Sequence, residues 1–287
     1  MKFNRIASYL TAALLGLAGS GTAQAGSVFL TGHDIDLHDG ADGYDVVILN
    51  WLRGQGTATE IPAASYRVGL IRSIDGINPA SGFVGGVLDG APLWVGGVTA
   101  ADPTQFANAA AFATFLGNID VLVVASQVAC GGCDFSPGDS TVLNTFAPQI
   151  AAFFNAGGDI WGNTVANLAT GFNYLPPSAA ASGPPISGST GFLPTAAGVA
   201  IGITNTMVNG DETHNRFTSF DPDFVVFETR PSSTVAGGEI ISIGLRDARI
   251  GTDDIGTDGG TTVPEPGTLA LLALAALGFA LRRRRDC

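Results

Sequence analysis

With 287 residues, 46% hydrophobic and 13% charged, the chain has enough apolar residues for a folded core and too few charges for intrinsic disorder. Its formal charge of −12 excludes a basic nucleic-acid groove as the main function. Lys2 is the only lysine.

The first 25 residues read as a secretory signal peptide. Lys2 and Arg5 form the positive start, residues 6–17 the apolar stretch, and Ala23-Gln24-Ala25 a small-x-small cleavage site. The expected mature chain starts at Gly26. Nothing polar makes this segment amphipathic, which argues against a packed N-terminal helix of the body.

The body follows as alternating elements. Residues 27–31 form a short apolar run ending in Gly32, a first strand. An acidic loop spans 32–43. Residues 44–53 favour helix, although Val46-Val47-Ile48 would also suit a strand. Residues 66–73 are a second strand, 76–100 are Gly-rich and irregular, and 104–116 are helical by composition. Residues 119–126 are nearly all apolar and β-branched, as in a strand buried on both faces of a parallel sheet. A helix capped by Asp139 or Ser140 runs to Asn155 and stops at Gly157-Gly158. Residues 159–162 then close a βαβ unit. Residues 175–198, rich in Pro, Ser, Ala and Gly, read as a long surface excursion. Residues 224–228 and 239–245 form a late strand pair, and Trp51, Trp94 and Trp161 suit the core better than a sugar platform. The predicted fold is α/β and flavodoxin-like, a mostly parallel central sheet with helices on both faces. It spans residues 26–250, followed by an acidic Gly-rich spacer over 251–262.

Cys130 and Cys133 enclose two glycines. In an exported chain such a pair is a small disulfide, a redox site or half of a zinc site. Zinc needs two further ligands, and no second pair occurs. A redox site places its first cysteine at a helix N-terminus, and Ser136-Pro137 intervene here. The expectation is a structural disulfide.

Residues 263–287 carry a second address. Val263-Pro264-Glu265-Pro266-Gly267 opens it, residues 268–281 run without a charge, and Arg282, Arg283, Arg284 and Arg285 close it. The 14-residue run falls short of the roughly 20 of a free-standing transmembrane helix, but short spans thin the bilayer or snorkel their flanks. The arginines would stay cytoplasmic as a membrane stop, with the body outside. Pro264 and Pro266 keep the preceding chain extended.

This end closely resembles the PEP-CTERM sorting signal of Gram-negative bacteria, with Pro264-Glu265-Pro266, the apolar run and the arginine cluster in that order. The resemblance implies a hydrophobic C-terminal helix as a transient inner-membrane anchor. It also implies recognition of the tripeptide by an exosortase, a membrane cysteine peptidase that cuts near it. The product would be a cell-surface or extracellular-matrix protein of an exopolysaccharide producer. With both ends gone, residues 26–262 keep seven arginines against 23 carboxylates, a net charge of −16. Such a surface repels anionic polysaccharide unless divalent cations bridge the two.

Residues 119–162 also resemble the α/β core of class I glutamine-amidotransferase-like proteins, including the ThuA-like group. The matching features are the buried strand over 119–125, the helix ending Phe153-Phe154-Asn155-Ala156-Gly157-Gly158, and the strand over 159–162. Phe29-Leu30-Thr31-Gly32-His33-Asp34 fits that fold's first strand and loop. Active amidotransferases set a cysteine on a tight elbow after the strand that follows the Gly-Gly. Asn163-Thr164 stand there in this chain, so glutamine hydrolysis is not implied.

Two clusters carry candidate chemistry. His33, Asp34, Asp36, His38, Asp39 and Asp42 lie within ten residues. Asp34, Asp36, His38, Asp39 and Asp42 are candidate ligands for a divalent cation, Ca²⁺ or Zn²⁺. The EF-hand spacing fails, and a solvated acidic loop fits the same residues. The loop follows a strand, and ligands of open α/β sheets gather at strand C-terminal edges. The second cluster is Asp211-Glu212-Thr213-His214-Asn215, which also suits a capped turn. If both loops meet at one sheet edge, His214 comes beside His33 and Asp34, the arrangement of a general base. No Gly-x-Ser-x-Gly elbow or phosphate loop occurs. The expectation is an exported, non-catalytic surface or matrix protein. The alternative is a divalent-metal-dependent hydrolase or carbohydrate-active protein using His33, Asp34 and His214.

Overall fold

Short β-branched runs alternate with helix-forming ones, and in the computed structural model they build one mixed sheet. The structure describes residues 26–35, 43–57, 60–71, 98–127, 136–165, 171–210 and 212–246. Within this span lie β1 (Val28–Thr31), α1 (Tyr44–Leu52), β2 (Val68–Ile71), β3 (Val98–Ala101), α2 (Ala109–Leu116) and β4 (Val121–Val124). Then come α3 (Pro137–Thr145), α4 (Ala147–Asn155), β5 (Asp159–Gly162), β6 (Ala181–Ser182), β7 (Leu193–Pro194), α5 (Ala196–Ile201), β8 (Ser219–Phe220), β9 (Val225–Arg230) and β10 (Glu239–Leu245). The main sheet runs β3-β2-β4-β5-β1-β10-β9-β7, and β6 pairs with β8 apart from it. The first five strands are mutually parallel. The last three join antiparallel.

Alternation along the parallel strands divides the core in two. Val28, Leu30, Leu122, Val124 and Ile160 pack with Phe112 of α2, Leu143 of α3, and Ile150 and Phe154 of α4. Phe29, Val68, Leu70, Val121, Val123 and Trp161 pack on the other side with Ile48, Leu49 and Trp51 of α1. Helices therefore cover both faces, and each such side chain contributes about 1.5–3 kcal/mol through burial.

Several boundaries differ from expectation for local reasons. The predicted single helix to Asn155 starts earlier and is broken. Ser136 caps α3 in a capping box with Asp139, and Pro137 takes the first helical position, where its missing N–H costs nothing. Pro148 then ends that helix's ladder, because its ring clashes with the carbonyl four residues back. Phe146 is the joint between α3 and α4. The helix expected from residue 104 begins at Ala109, where Asn108 caps it. A strand, β3, emerges at the end of the Gly-rich stretch. Residues 175–198 are not merely a surface excursion. They bury Leu175, Ala179, Ala181 and Phe192 and supply β6, β7 and the start of α5. Apolar residues scattered among prolines carry no period to announce this.

Among the described residues no helix is long and apolar enough to cross a membrane. The expected signal helix, the C-terminal hydrophobic helix, the Cys130–Cys133 pair, Asp36, His38, Asp39 and Asp42 all lie outside the described residues.

Candidate functional site

The site forms where residues 212–217 return to the carboxyl ends of the parallel strands. The amide of Asp34 donates to the Glu212 carbonyl at 2.8 Å, and the amide of His214 donates to the Gly32 carbonyl at 2.9 Å. His33 and Thr213 thus face each other in an antiparallel bridge. Gly32 permits this approach, since a Cβ there would run into the Asn215 carbonyl. The same loop grips β5. Asn215 Oδ1 accepts from the Thr164 hydroxyl at 2.6 Å and from the Val165 amide at 3.0 Å.

Beneath this junction lies a sealed polar network. His33 and Glu228 are both fully buried, with Nε2 and Oε1 2.6 Å apart. Nδ1 lies 2.7 Å from the Thr213 hydroxyl. Glu228 Oε2 accepts from Ser242 at 2.7 Å and from the Tyr44 hydroxyl at 3.1 Å. Ser242 in turn lies 2.9 Å from the Thr31 hydroxyl, which also accepts the His33 amide at 3.2 Å. Register shifts between β9 and β10 around Ser242 turn consecutive residues Phe227 and Glu228 both inward. Burial, then the Glu228 charge, pushes the Tyr44 hydroxyl well above the usual phenol range. His33 therefore has no ring nitrogen left for a ligand and acts as a fixed strut.

Above it sits a second imidazole with more freedom. His214 Nε2 lies 3.4 Å from Asp34 Oδ2, with the carboxylate buried and the ring 20% exposed. That is a carboxylate-oriented histidine reaching solvent, competent to accept a proton. Adjacent strand ends add a polar rim. Gln127 and Asn163 are buried, and the Gln127 backbone amide donates to the Thr164 carbonyl at 2.8 Å. Gln127 Oε1, Asn163 Oδ1 and Asn215 Nδ2 have no hydrogen-bond partner among the described residues. The β9–β10 hairpin leaves the sheet at this same edge. Its tip lines an open groove of about 670 Å³ with Ser232, Ser233 and Thr234.

The structure thus places His214 beside Asp34, while the His33 ring turns into the sealed network. Among the described residues no group of three or more His, Cys, Asp or Glu is placed to hold a metal ion. Glu228, Tyr44 and Ser242 were not singled out by the sequence. One signal was present: Glu228 is an acid directly after the apolar run Phe224-Val225-Val226-Phe227. The elbow position after β5 holds Asn163, whose amide group donates to the Val124 carbonyl at 3.2 Å. The described arginines are committed elsewhere. Arg53 pairs with Glu60, Arg67 with Asp120, and Arg216 and Arg230 share Glu239. Arg246 donates to the Trp51 carbonyl at 2.7 Å.

Residues 262–285 match the family described as the PEP-CTERM protein-sorting motif. Neither the curated proteins nor the solved structures include a match to this chain, so the amidotransferase-like resemblance of the body is not confirmed. The matched motif supports export and processing by an exosortase-type peptidase.

Proposed function

We propose that this chain is a cell-surface or extracellular-matrix protein whose body acts without catalysis after trimming at Pro264-Glu265-Pro266. The sorting motif at residues 262–285 carries this reading. The signal peptide over 1–25 takes the chain out, and residues 268–281 hold it transiently in the inner membrane. Arg282, Arg283, Arg284 and Arg285 keep the last turn cytoplasmic. The parallel block, in the order β3-β2-β4-β5-β1 and not the flavodoxin order 2-1-3-4-5, serves as a scaffold without the nucleophile of an amidotransferase. Its acidic surface, with the described arginines already paired, meets anionic polysaccharide through bridging divalent cations. The test is deletion of Pro264-Glu265-Pro266. Material held in the inner membrane with its tail intact supports the reading, and unchanged release contradicts it.

A second reading is favoured by one contact, that between Asp34 and His214. In it the body is a metal-dependent hydrolase or carbohydrate-active protein, with His214 as general base and Asp34 as its orienting carboxylate. Stoichiometric metal in the exported protein, lost in His214→Ala, supports this alternative. Metal-free protein with no hydrolysis of polysaccharide leaves the non-catalytic reading standing.

A further inference from the structure

Gly26, the residue expected to begin the mature chain, is no loose end. It is buried, and its backbone N–H donates to the Phe154 carbonyl at 3.1 Å, in the last turn of α4. The next amide, of Ser27, donates to Asp159 Oδ1 at 2.8 Å. The other oxygen of Asp159 accepts from the Tyr66 hydroxyl at 2.7 Å. The Ser27 carbonyl accepts the Ile160 amide at 2.9 Å, tying the segment to β5. A Cβ at position 26 would run into the Gly158 carbonyl and the Phe154 ring, so the seat is cut for glycine. A helix C-terminus attracts positive charge, yet α4 has no basic residue in its last turn.

We infer that signal-peptide removal creates the missing cation: the new α-ammonium of Gly26 docks against the C-terminus of α4 and fastens β1 into the sheet. Hydrolysis of the Ala25–Gly26 bond consumes one water. It leaves a carboxylate on Ala25 and an amine on Gly26, which takes up a proton at neutral pH. The ammonium then donates to the Phe154 carbonyl, and the amide of the next residue, Ser27, holds the buried Asp159 carboxylate. The inference rests on the leader reading, and it is independent of how the C-terminus is trimmed.

An unusual composition makes the test direct. Lys2 leaves with the leader and no other lysine exists, so the docked group is the mature chain's sole primary amine. The exported, processed protein is treated with the acetyl ester of N-hydroxysuccinimide, in native buffer and in guanidinium, and both products are weighed intact. The expected result is a chain starting at Gly26 whose amine reacts about tenfold or more slowly when native, as a group does that is freed only by local opening. Protein acetylated in denaturant and then refolded should unfold at lower denaturant than the untreated protein. Gly26→Ala should lose the protection while keeping its circular dichroism. Equal labelling rates in the two buffers, an unchanged midpoint after acetylation, or a mature start other than Gly26 would each overturn the inference. The wild-type labelling ratio decides the matter even if Gly26→Ala fails to fold.

Discussion

The sealed network under β1 and the polar rim above it share one stretch of paired backbone, yet they differ in kind. His33 and His214 lie on the two strands of that junction, and burial separates their roles. His33 is enclosed, with Glu228 and Thr213 holding its two nitrogens. His214 keeps an exposed edge and has the Asp34 carboxylate at 3.4 Å. A histidine's neighbours in sequence therefore say little about its availability. What decides is which side of the bridge its ring occupies.

The largest expected effect breaks the sealed side. Glu228→Ala strips the partner from His33, Ser242 and Tyr44 at once, and each buried polar group left orphaned costs about 1–3 kcal/mol. A denaturant midpoint unchanged by this substitution would show that the network is not a strut. Thr213→Val orphans His33 Nδ1 alone, at a cost of about 1–3 kcal/mol; the same unfolding measurement reads it. A third effect is alkaline. The hydroxyls of Tyr44 and Tyr66 are pushed up by burial first and by the Glu228 and Asp159 charges second. Burial also raises Tyr174. These phenols lose protons more readily when unfolded. Their contribution is whole below about pH 10 and lost as pH rises through the folded values. Tyrosinate absorbance in the mature protein should therefore appear together with unfolding. Ionisation near pH 10 with the fold intact would refute this. The smallest effect belongs to the rim: His214→Ala should change stability by no more than about 0.5 kcal/mol. If it costs several times that, His214 belongs with the strut rather than with the open site.

Much of the parallel block was legible because its signals are local. Residues 119–126 are apolar on both faces, and the strand found there, β4, is buried throughout. The meeting of His214 with Asp34 stood in the sequence only as a condition, because residues 212–217 follow α5 and not a parallel strand, so no local signal placed them at that edge. Glu228 escaped because an acid directly after an apolar run reads as a solvent-facing strand end, and its inward turn depends on register shifts against β10. Phe192 escaped because a lone aromatic among Gly, Ser and Pro has no period. Pro148 was visible, but its breaking of a helix was outweighed by the apolar spacing across it. Roles at the rim depend on whatever binds there, which no residue pattern within the chain specifies.

On the proposed function, both ends of this chain are addresses and the globule between them is the working protein. The intact mass of the protein recovered outside the cell tests it most directly. The predicted species begins at residue 26 and ends near Pro266, without its four terminal arginines. A released molecule that still carries Arg282, Arg283, Arg284 and Arg285 would contradict the claim.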